Sequence, residues 1–363
     1  MPHPNATVAI VIRTKNRVLL LDRALTDVLN QTYHDWVAIV VNDGGEPAPV
    51  DRIAAQHSHR AAGRVTVLHN PTSIGMEAAS NLGLKATDST YIAIHDDDDD
   101  WHENFLATTV AYLDRLPAES PERGVMVRTT IVFERVSGDH IEEISRQTFE
   151  PSLTDITLLD MLTCNRAVPI SFLYRRDVHH TIGLYNEDLP AVGDWDFHLR
   201  FLAYHDIGFL NGTPLAFWHQ RPESHGDMGN SVIRQEADHR RSDLRVRETY
   251  LKEHVQRAGP GALLYLANAQ SRAGKHLDQR IDDLERAMTN LGDETRILHD
   301  IRDGLRAISQ AQEALHHQIT QLENGINDAS LLSLLRCRYR RTKDRIRTSP
   351  PPTQPPDTDT PHG

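Results

Sequence analysis

The 363-residue chain holds only two cysteines, Cys164 and Cys337, far apart and in no ligand-like spacing. Two such residues build neither a disulfide framework nor a cysteine zinc site. No apolar run reaches the roughly 18 residues that a spanning helix needs. No charged-then-apolar signal pattern follows Met1-Pro2-His3, so the expectation is a soluble, cytoplasmic protein. Positive charge is also short: 39 lysines and arginines face 51 aspartates and glutamates, a formal net charge of −12. A nucleic-acid binder carries a basic footprint, so no nucleic-acid partner is expected. The length allows one large domain plus an appendage.

The first two-thirds alternate strand-like and helix-like patterns. Val8–Ile12, Val37–Val41, Val65–Leu68 and Tyr91–His95 are short apolar runs rich in β-branched residues. Between them, Arg17–Gln31, Arg52–His59 and Met76–Lys85 have helical spacing. Further strands are expected at Met126–Glu134, Ile141–Gln147 and Ile170–Tyr174, with helices at Leu158–Cys164 and Trp195–Tyr204. Such alternation implies right-handed βαβ units and a mostly parallel sheet, an α/β fold. Ligands of such sheets bind beyond the carboxyl ends of the strands. Asp43 and Asp96 both sit at such ends and should face one crevice.

Five consecutive aspartates, Asp96 to Asp100, follow the strand Tyr91–His95 and are closed by Trp101. Crowded carboxylates repel one another unless a cation or a proton neutralises some of them. A hard divalent ion with oxygen ligands is the natural neutraliser, and it also grips phosphate oxygens. A merely solvated acidic loop would sit in polar, low-complexity sequence, whereas this run lies between a strand and an aromatic. Three other candidates have ordinary readings when taken alone. Asp43 could be a turn residue, Asp194 a helix N-cap, and His219 a half-buried core histidine.

Beyond residue 245 the texture changes. Leu277, Ile281, Leu284, Met288 and Leu291, then Leu298, Ile301, Leu305, Ile308, Leu315, Ile319, Leu322 and Ile326, follow heptad spacing with one break near Thr295. A coiled coil joining copies of the chain through residues 277–326 is expected, the alternative being a long amphipathic helix packed back on the domain. From Arg336 to Arg347 seven basic residues face one acid. This reads either as a peripheral membrane-surface helix or as a solvated helix end complementing its dipole. The domains are therefore expected at 1–245, 246–330 (helical), 331–347 (basic helix) and 348–363, a Pro-rich tail.

Several motifs in one order resemble those of the family 2 glycosyltransferases of the GT-A fold. Ile12-Arg13-Thr14-Lys15-Asn16-Arg17 is similar to that family's P-T-Y-N-R exit from the first strand, departing from it at Arg13 and Lys15. Val28–Tyr33 and Val40–Gly45 resemble S-V-L-N-Q-T-Y and V-V-D-D-G-S, and Asn70 with Gly75–Asn81 and Gly83 resembles N-x-G-x-x-x-A-x-N-x-G. Tyr91–Asp99 resembles the Asp-x-Asp strand. Gly183–Glu187 with Gly193-Asp194-Trp195-Asp196 resembles G-F-D-E … E-D-W-D, with Gly193 in place of the usual Glu. The likeness covers about residues 7–235 and is specific as a set.

The resemblance implies a Rossmann-like GT-A domain that carries a sugar from a pyrimidine nucleoside diphosphate, UDP- or dTDP-linked, to a hydroxyl of a glycan or lipid-linked glycan, with inversion. It implies Thr14, Asn16, Asp43, Asn81, Asp96 and Asp97 at the nucleotide sugar, with Asp43 reading the base. It also implies Mn²⁺ or Mg²⁺ on Asp96, Asp98 and His219, and Asp194 as the catalytic base. A different alignment puts Arg221 in the place of His219. Two other readings compete. A nucleotidyltransferase would want a Gly-rich basic loop near the first strand, and none is evident. An inert scaffold working through its coiled coil has no chemical reason to keep Asp43, Asp98 and Asp194.

Overall fold

The computed structural model describes residues 6–224, 226–229, 236–289 and 299–321. It contains two compact units, one up to His254 and one from Val255. The basic segment 331–347 and the tail 348–363 lie outside the described residues, as do residues 290–298 and 322–326 of the heptad pattern.

The first unit is built on strands β1 (Val8–Thr14), β2 (Trp36–Asp43), β3 (Val65–Asn70) and β4 (Tyr91–Asp96), connected by helices α1 (Val18–Asn30), α2 (Pro47–Ala61) and α3 (Met76–Lys85). After β4 come β5 (Asp100–Trp101), α4 (Phe105–Arg115), β6 (Glu122–Val127), β7 (Thr129–Ser137) and β8 (His140–Thr148). Then follow α5 (Leu158–Thr163), β9 (Phe172–Arg175), α6 (His179–Ile182), α7 (Gly193–Tyr204), β10 (Asp206–Leu210) and β11 (Ala216–Gln220). A seven-stranded sheet has the order β10-β6-β9-β4-β1-β2-β3, and a four-stranded sheet the order β5-β11-β7-β8. β1 pairs parallel with both β2 and β4, and only β9 runs against its neighbours in the larger sheet.

Alternation along the central strands explains two cores. Val8, Ile10 and Ile12 of β1, with Ala38 and Val40 of β2, face one side, where Leu21, Leu25 and Val28 of α1 and Phe105, Leu106 and Val110 of α4 pack. Val11, Ile39 and Val41 face the other side, against Ala79 and Leu84 of α3 and Trp195, Phe197 and Phe201 of α7. Strands buried on both faces read as continuous apolar runs, which is why they were visible in sequence. The span expected as one strand at Met126–Glu134 is two, because the chain leaves the large sheet at Arg128 and enters the small one. Arg128 is 6% exposed and donates to the Asn211 side chain and the Glu150 carbonyl.

Helix α8 (Glu236–Ala258) begins within the first unit. Its Val246 is buried in the second core and its Tyr250 hydroxyl donates to Asp196 at 3.0 Å. In the second unit α9 (Gly261–Thr289) is followed by a helix over 299–321. Gly304 of that helix lies against Leu284 of α9, where an added Cβ would come within 2.9 Å of a Leu284 methyl. Within one chain, therefore, the two helices touch. Leu277, Ile281, Met288, Leu305, Leu315 and Ile319 remain exposed.

Candidate active site

The strand order turns back between β1 and β4, since β2 and β3 lie to one side of β1 and β4 to the other. Such a reversal opens a crevice at the carboxyl ends of the two strands. A cavity of 680 Å³ occupies that place, lined among others by Thr14, Asp43, Asp96, Asp97, Asp98 and Asp194. Its size is in the range of small-molecule sites. Asn16, Asn81 and His219 are not among its lining residues.

The aspartate run is not a solvated loop. Asp97, Asp98 and Asp99 are 3%, 8% and 3% exposed. The run is pinned from behind: the Trp101 indole stacks on Phe105 at 4.3 Å and donates to the Ile170 carbonyl at 2.6 Å. The Trp101 amide and the His95 ring both meet the Asp27 carboxylate, each at 3.0 Å. Parallel register sets Arg13 beside Asp96, and the Arg13 guanidinium bonds that carboxylate. Arg17 at the start of α1 reaches Asp97 at 3.2 Å and Asp98 at 3.0 Å. Burial, with repulsion from Asp98, pushes the Asp97 carboxyl up despite Arg17. Burial acts the same way on Asp98, but Arg17 and Arg221 outweigh it and hold that carboxyl below its usual range.

His219, which the resemblance implies as a metal ligand, is not among the residues lining the cavity. Along β11, Trp218 and Gln220 line the cavity, while the His219 ring is held between Glu134 at 2.7 Å and Asp100 at 2.8 Å. With a carboxylate on each ring nitrogen, the ring favours the imidazolium form; burial opposes this, yet its pKa is raised. Its amide also donates to Asp99 at 2.8 Å. The side chain that meets Asp98 from this edge is Arg221, fully buried and bonded to Glu134 at 2.7 Å as well. Arg221, the residue that a different alignment puts in the place of His219, thus meets Asp98 directly, and a guanidinium is no metal ligand. Arg23 of α1 completes the group on Glu134 at 2.7 Å. These cations hold Glu134 well below the usual carboxylate range against the cost of its burial.

Asp43 ends β2 and fixes the loop before α3. One oxygen accepts from Asn70 and the Ile74 amide, each at 2.9 Å, and the other from Ser73 at 2.6 Å and the Gly75 amide at 3.1 Å. Burial opposes ionisation, but these four donors lower the carboxyl pKa. Gly44 is required beside it: its φ is +78°, and a Cβ would fall 2.8 Å from the Thr72 carbonyl carbon. Asn16, left-handed at φ 56°, accepts from the Glu46 amide at 3.1 Å. Asn81 donates to the Tyr185 carbonyl and to Glu187, each at 2.8 Å, and accepts from the Tyr185 amide at 3.0 Å. Both asparagines therefore hold loops around the cavity.

Asp194 lies in the first turn of α7 and is not its N-cap. The cap is Val192 at φ 57°, a strained conformation for a β-branched residue. Asn165 donates to the Asp194 carboxylate at 2.8 Å. Burial raises the Asp194 pKa, with Asn165 and the Trp195 amide opposing. Three lining residues escaped the sequence reading. Arg13 and Lys15 registered only as motif mismatches, yet both line the cavity. Glu77, a helix residue with no signal of its own, lines it too, and burial pushes its carboxyl up to about 8.

Among the described residues no three His, Cys, Asp or Glu side chains converge as a complete metal cage. The donor set nevertheless suits a hard ion. Asp97 Oδ2 is buried without a hydrogen-bond partner, and Asp96, Asp97 and Asp98 all line the cavity. A magnesium-type ion needs only one or two carboxylates, with waters and substrate phosphates filling the rest.

Fold and site together define an α/β domain with a carboxylate-lined crevice at the switch point of its sheet. Residues 9–183, a little under half of the chain, match the model of glycosyl transferase family 2. The chain is 29% identical over 197 residues to YwdF, an uncharacterized glycosyltransferase of Bacillus subtilis, across 53% of this chain and 67% of that protein. It is 26% identical over 194 residues to a PGL/p-HBAD biosynthesis glycosyltransferase of Mycobacterium bovis, across 53% of this chain and 68% of the other. A match to the putative colanic acid biosynthesis glycosyl transferase WcaA of Escherichia coli, at 30% identity, spans 31% of this chain and 39% of that protein. Among solved structures, the Pyrobaculum calidifontis mannosyltransferase PcManGT, in complex with GDP-Man and Mn²⁺, superposes with a TM-score of 0.50 at 15% identity, covering 86% of this chain and 84% of that one. That likeness places the GT-A fold.

Proposed function

We propose that the protein is an inverting, metal-dependent glycosyltransferase that moves a sugar from a UDP- or dTDP-linked donor to a hydroxyl of a glycan or lipid-linked glycan. The observation that carries this reading is the convergence of Asp43, Asp96, Asp97, Asp98 and Asp194 on one cavity at the switch point of the sheet. The biosynthetic role draws support from the mycobacterial relative, a PGL/p-HBAD biosynthesis glycosyltransferase.

In this reading Thr14 and Asp43 hold the nucleotide. Asp43 reads the pyrimidine N–H by exchanging one of its bonds to residues 70–75. Arg13, Lys15 and Arg17 present positive charge to the diphosphate. Asp194 accepts the proton of the acceptor hydroxyl as that oxygen bonds to the anomeric carbon. The bond from that carbon to the nucleoside diphosphate breaks, and its electron pair leaves with the diphosphate. Attack opposite the leaving group inverts the centre and needs one base, unlike the paired carboxylates of hydrolases. Asp96 and Asp98, with Asp97 beside them, would hold a divalent ion, which would supply charge neutralisation for the diphosphate. The raised pKa of Asp194 makes it a stronger base than a solvated aspartate.

The apolar residues exposed on α9 and on the helix over 299–321 support self-association through residues 277–326. Among the described residues no helix is long and apolar enough to cross a membrane, so any membrane contact is peripheral in this reading.

Asp194→Asn tests the chemistry. It should leave nucleotide binding within about twofold and lower transfer by the roughly 10²–10⁴-fold that a general base supplies. Normal transfer by the variant would remove Asp194 from the role.

A further inference from the structure

Glu77 is a buried acid in the wrong place for a purely structural role. It sits in the first turn of α3, directly after the loop that Asp43 holds, and is 4% exposed while lining the cavity. Its Oε2 has no hydrogen-bond partner. A buried carboxyl oxygen left unpaired costs about 1–3 kcal/mol, so such an atom marks a place where something else binds. Opposite lies Gly193, the position at which the sequence departs from the E-D motif. A Cβ on Gly193 would come within 2.5 Å of Glu77 Cγ and Oε1. The carboxyl of Glu77 therefore fills the volume beside Asp194 that a side chain at 193 would otherwise take. Gly193 is what admits it.

Resting on the donor-site reading above, we propose that Glu77 hydrogen-bonds a hydroxyl of the transferred sugar, and that the Glu77–Gly193 pair determines which sugar the cavity accepts. The ligand class follows from the chemistry of the place. A phosphate would be repelled by a carboxyl group flanked by Asp194 and Asp96, and an alkyl group would leave Oε2 unpaired. A hydroxyl both donates and accepts, so it pairs with a carboxyl in either protonation state. Arg13 lies near enough to restrain the rise in the Glu77 pKa, which ties this corner to the wall that holds Asp96. Sites that hydrogen-bond a sugar hydroxyl discriminate strongly against analogues lacking it or presenting it elsewhere, because their own polar atoms are then left unpaired.

The test is calorimetric binding to the full chain of UDP, UDP-glucose, UDP-galactose and UDP-N-acetylglucosamine, with dTDP and dTDP-glucose as a second arm and GDP and GDP-mannose as a third, all with Mn²⁺. Glu77→Ala should leave the bare nucleotide within about threefold, weaken the preferred nucleotide sugar about tenfold or more, and flatten the ranking of sugars. Glu77→Gln, which still donates and accepts, should recover most of that loss. Should Glu77→Ala fold poorly, Gly193→Ala serves instead, because its Cβ displaces the same carboxyl and should change the same ranking. Equal weakening of nucleotide and nucleotide sugar, or no change in either, overturns the assignment while leaving the donor site intact. Failure of the folded wild type to bind any nucleotide in the panel removes the donor site, and the inference with it.

Discussion

Replacing Asp43 by Asn separates an anchoring role from a base-reading role. The wild-type carboxylate accepts four hydrogen bonds, two on each oxygen, from Asn70, Ile74, Ser73 and Gly75. Asparagine keeps one oxygen and turns the other position into an NH₂ donor. Ser73 can rotate its hydroxyl to accept, but the fixed amide of Gly75 cannot. One stranded backbone N–H costs about 1–3 kcal/mol, and the two bonds that survive lose charge assistance, roughly half their strength. The expected loss is about 2–4 kcal/mol, on the order of 5–12 °C in melting temperature for a domain of this size. The pH dependence has a definite sign. Because the folded pKa of Asp43 is lowered from 3.8, its stabilisation is complete above that value and is lost as pH falls towards the folded pKa. The gap between wild type and variant, read by thermal melting at several pH values, should therefore close in acid. A variant that melts with the wild type at pH 7 yet no longer binds nucleotide would refute the anchoring argument and leave Asp43 as a reader of the base alone.

Two further outcomes follow from the same geometry. Glu134→Gln withdraws the charge that Arg23, His219 and Arg221 share; removing one partner of a buried ion group should cost about 3–5 kcal/mol in a denaturant melt, and a change near zero would mean that the network does not hold the acidic turn. Deleting residues 255–363 should leave donor binding unchanged and lower the oligomeric mass in light scattering; an oligomer number unchanged by the deletion would move the self-association surface into the first unit.

The parts of this site that were legible in sequence share a physical reason. Strands buried on both faces give unbroken apolar runs, so β1, β2 and β4 announced the sheet and hence its crevice. Five adjacent carboxylates after a buried strand need neutralising whatever the details, so Asp96, Asp97 and Asp98 could be placed at a site. The neutralising groups could not be identified in the same way. Arg13 depends on parallel register, and Arg17 and Arg221 come from a helix start and a strand exit more than 200 residues apart in the chain. Polar residue type does not show what a side chain binds: in the structure Asn81 and Asn16 bond to loop residues. His219 and Arg221 are two residues apart on one strand edge, and only the structure tells which of them meets Asp98. Glu77 left no trace in the sequence, since its meaning lies in an empty volume at Gly193, 116 positions further on.

The most direct test of the donor site is calorimetric binding of UDP, dTDP and GDP to the purified chain, with and without Mn²⁺, alongside Asp98→Asn. The account predicts Mn²⁺-dependent binding of UDP or dTDP that the variant loses. Binding of GDP in preference to both would contradict the pyrimidine assignment, and a folded protein that binds none of the three would contradict the donor site itself.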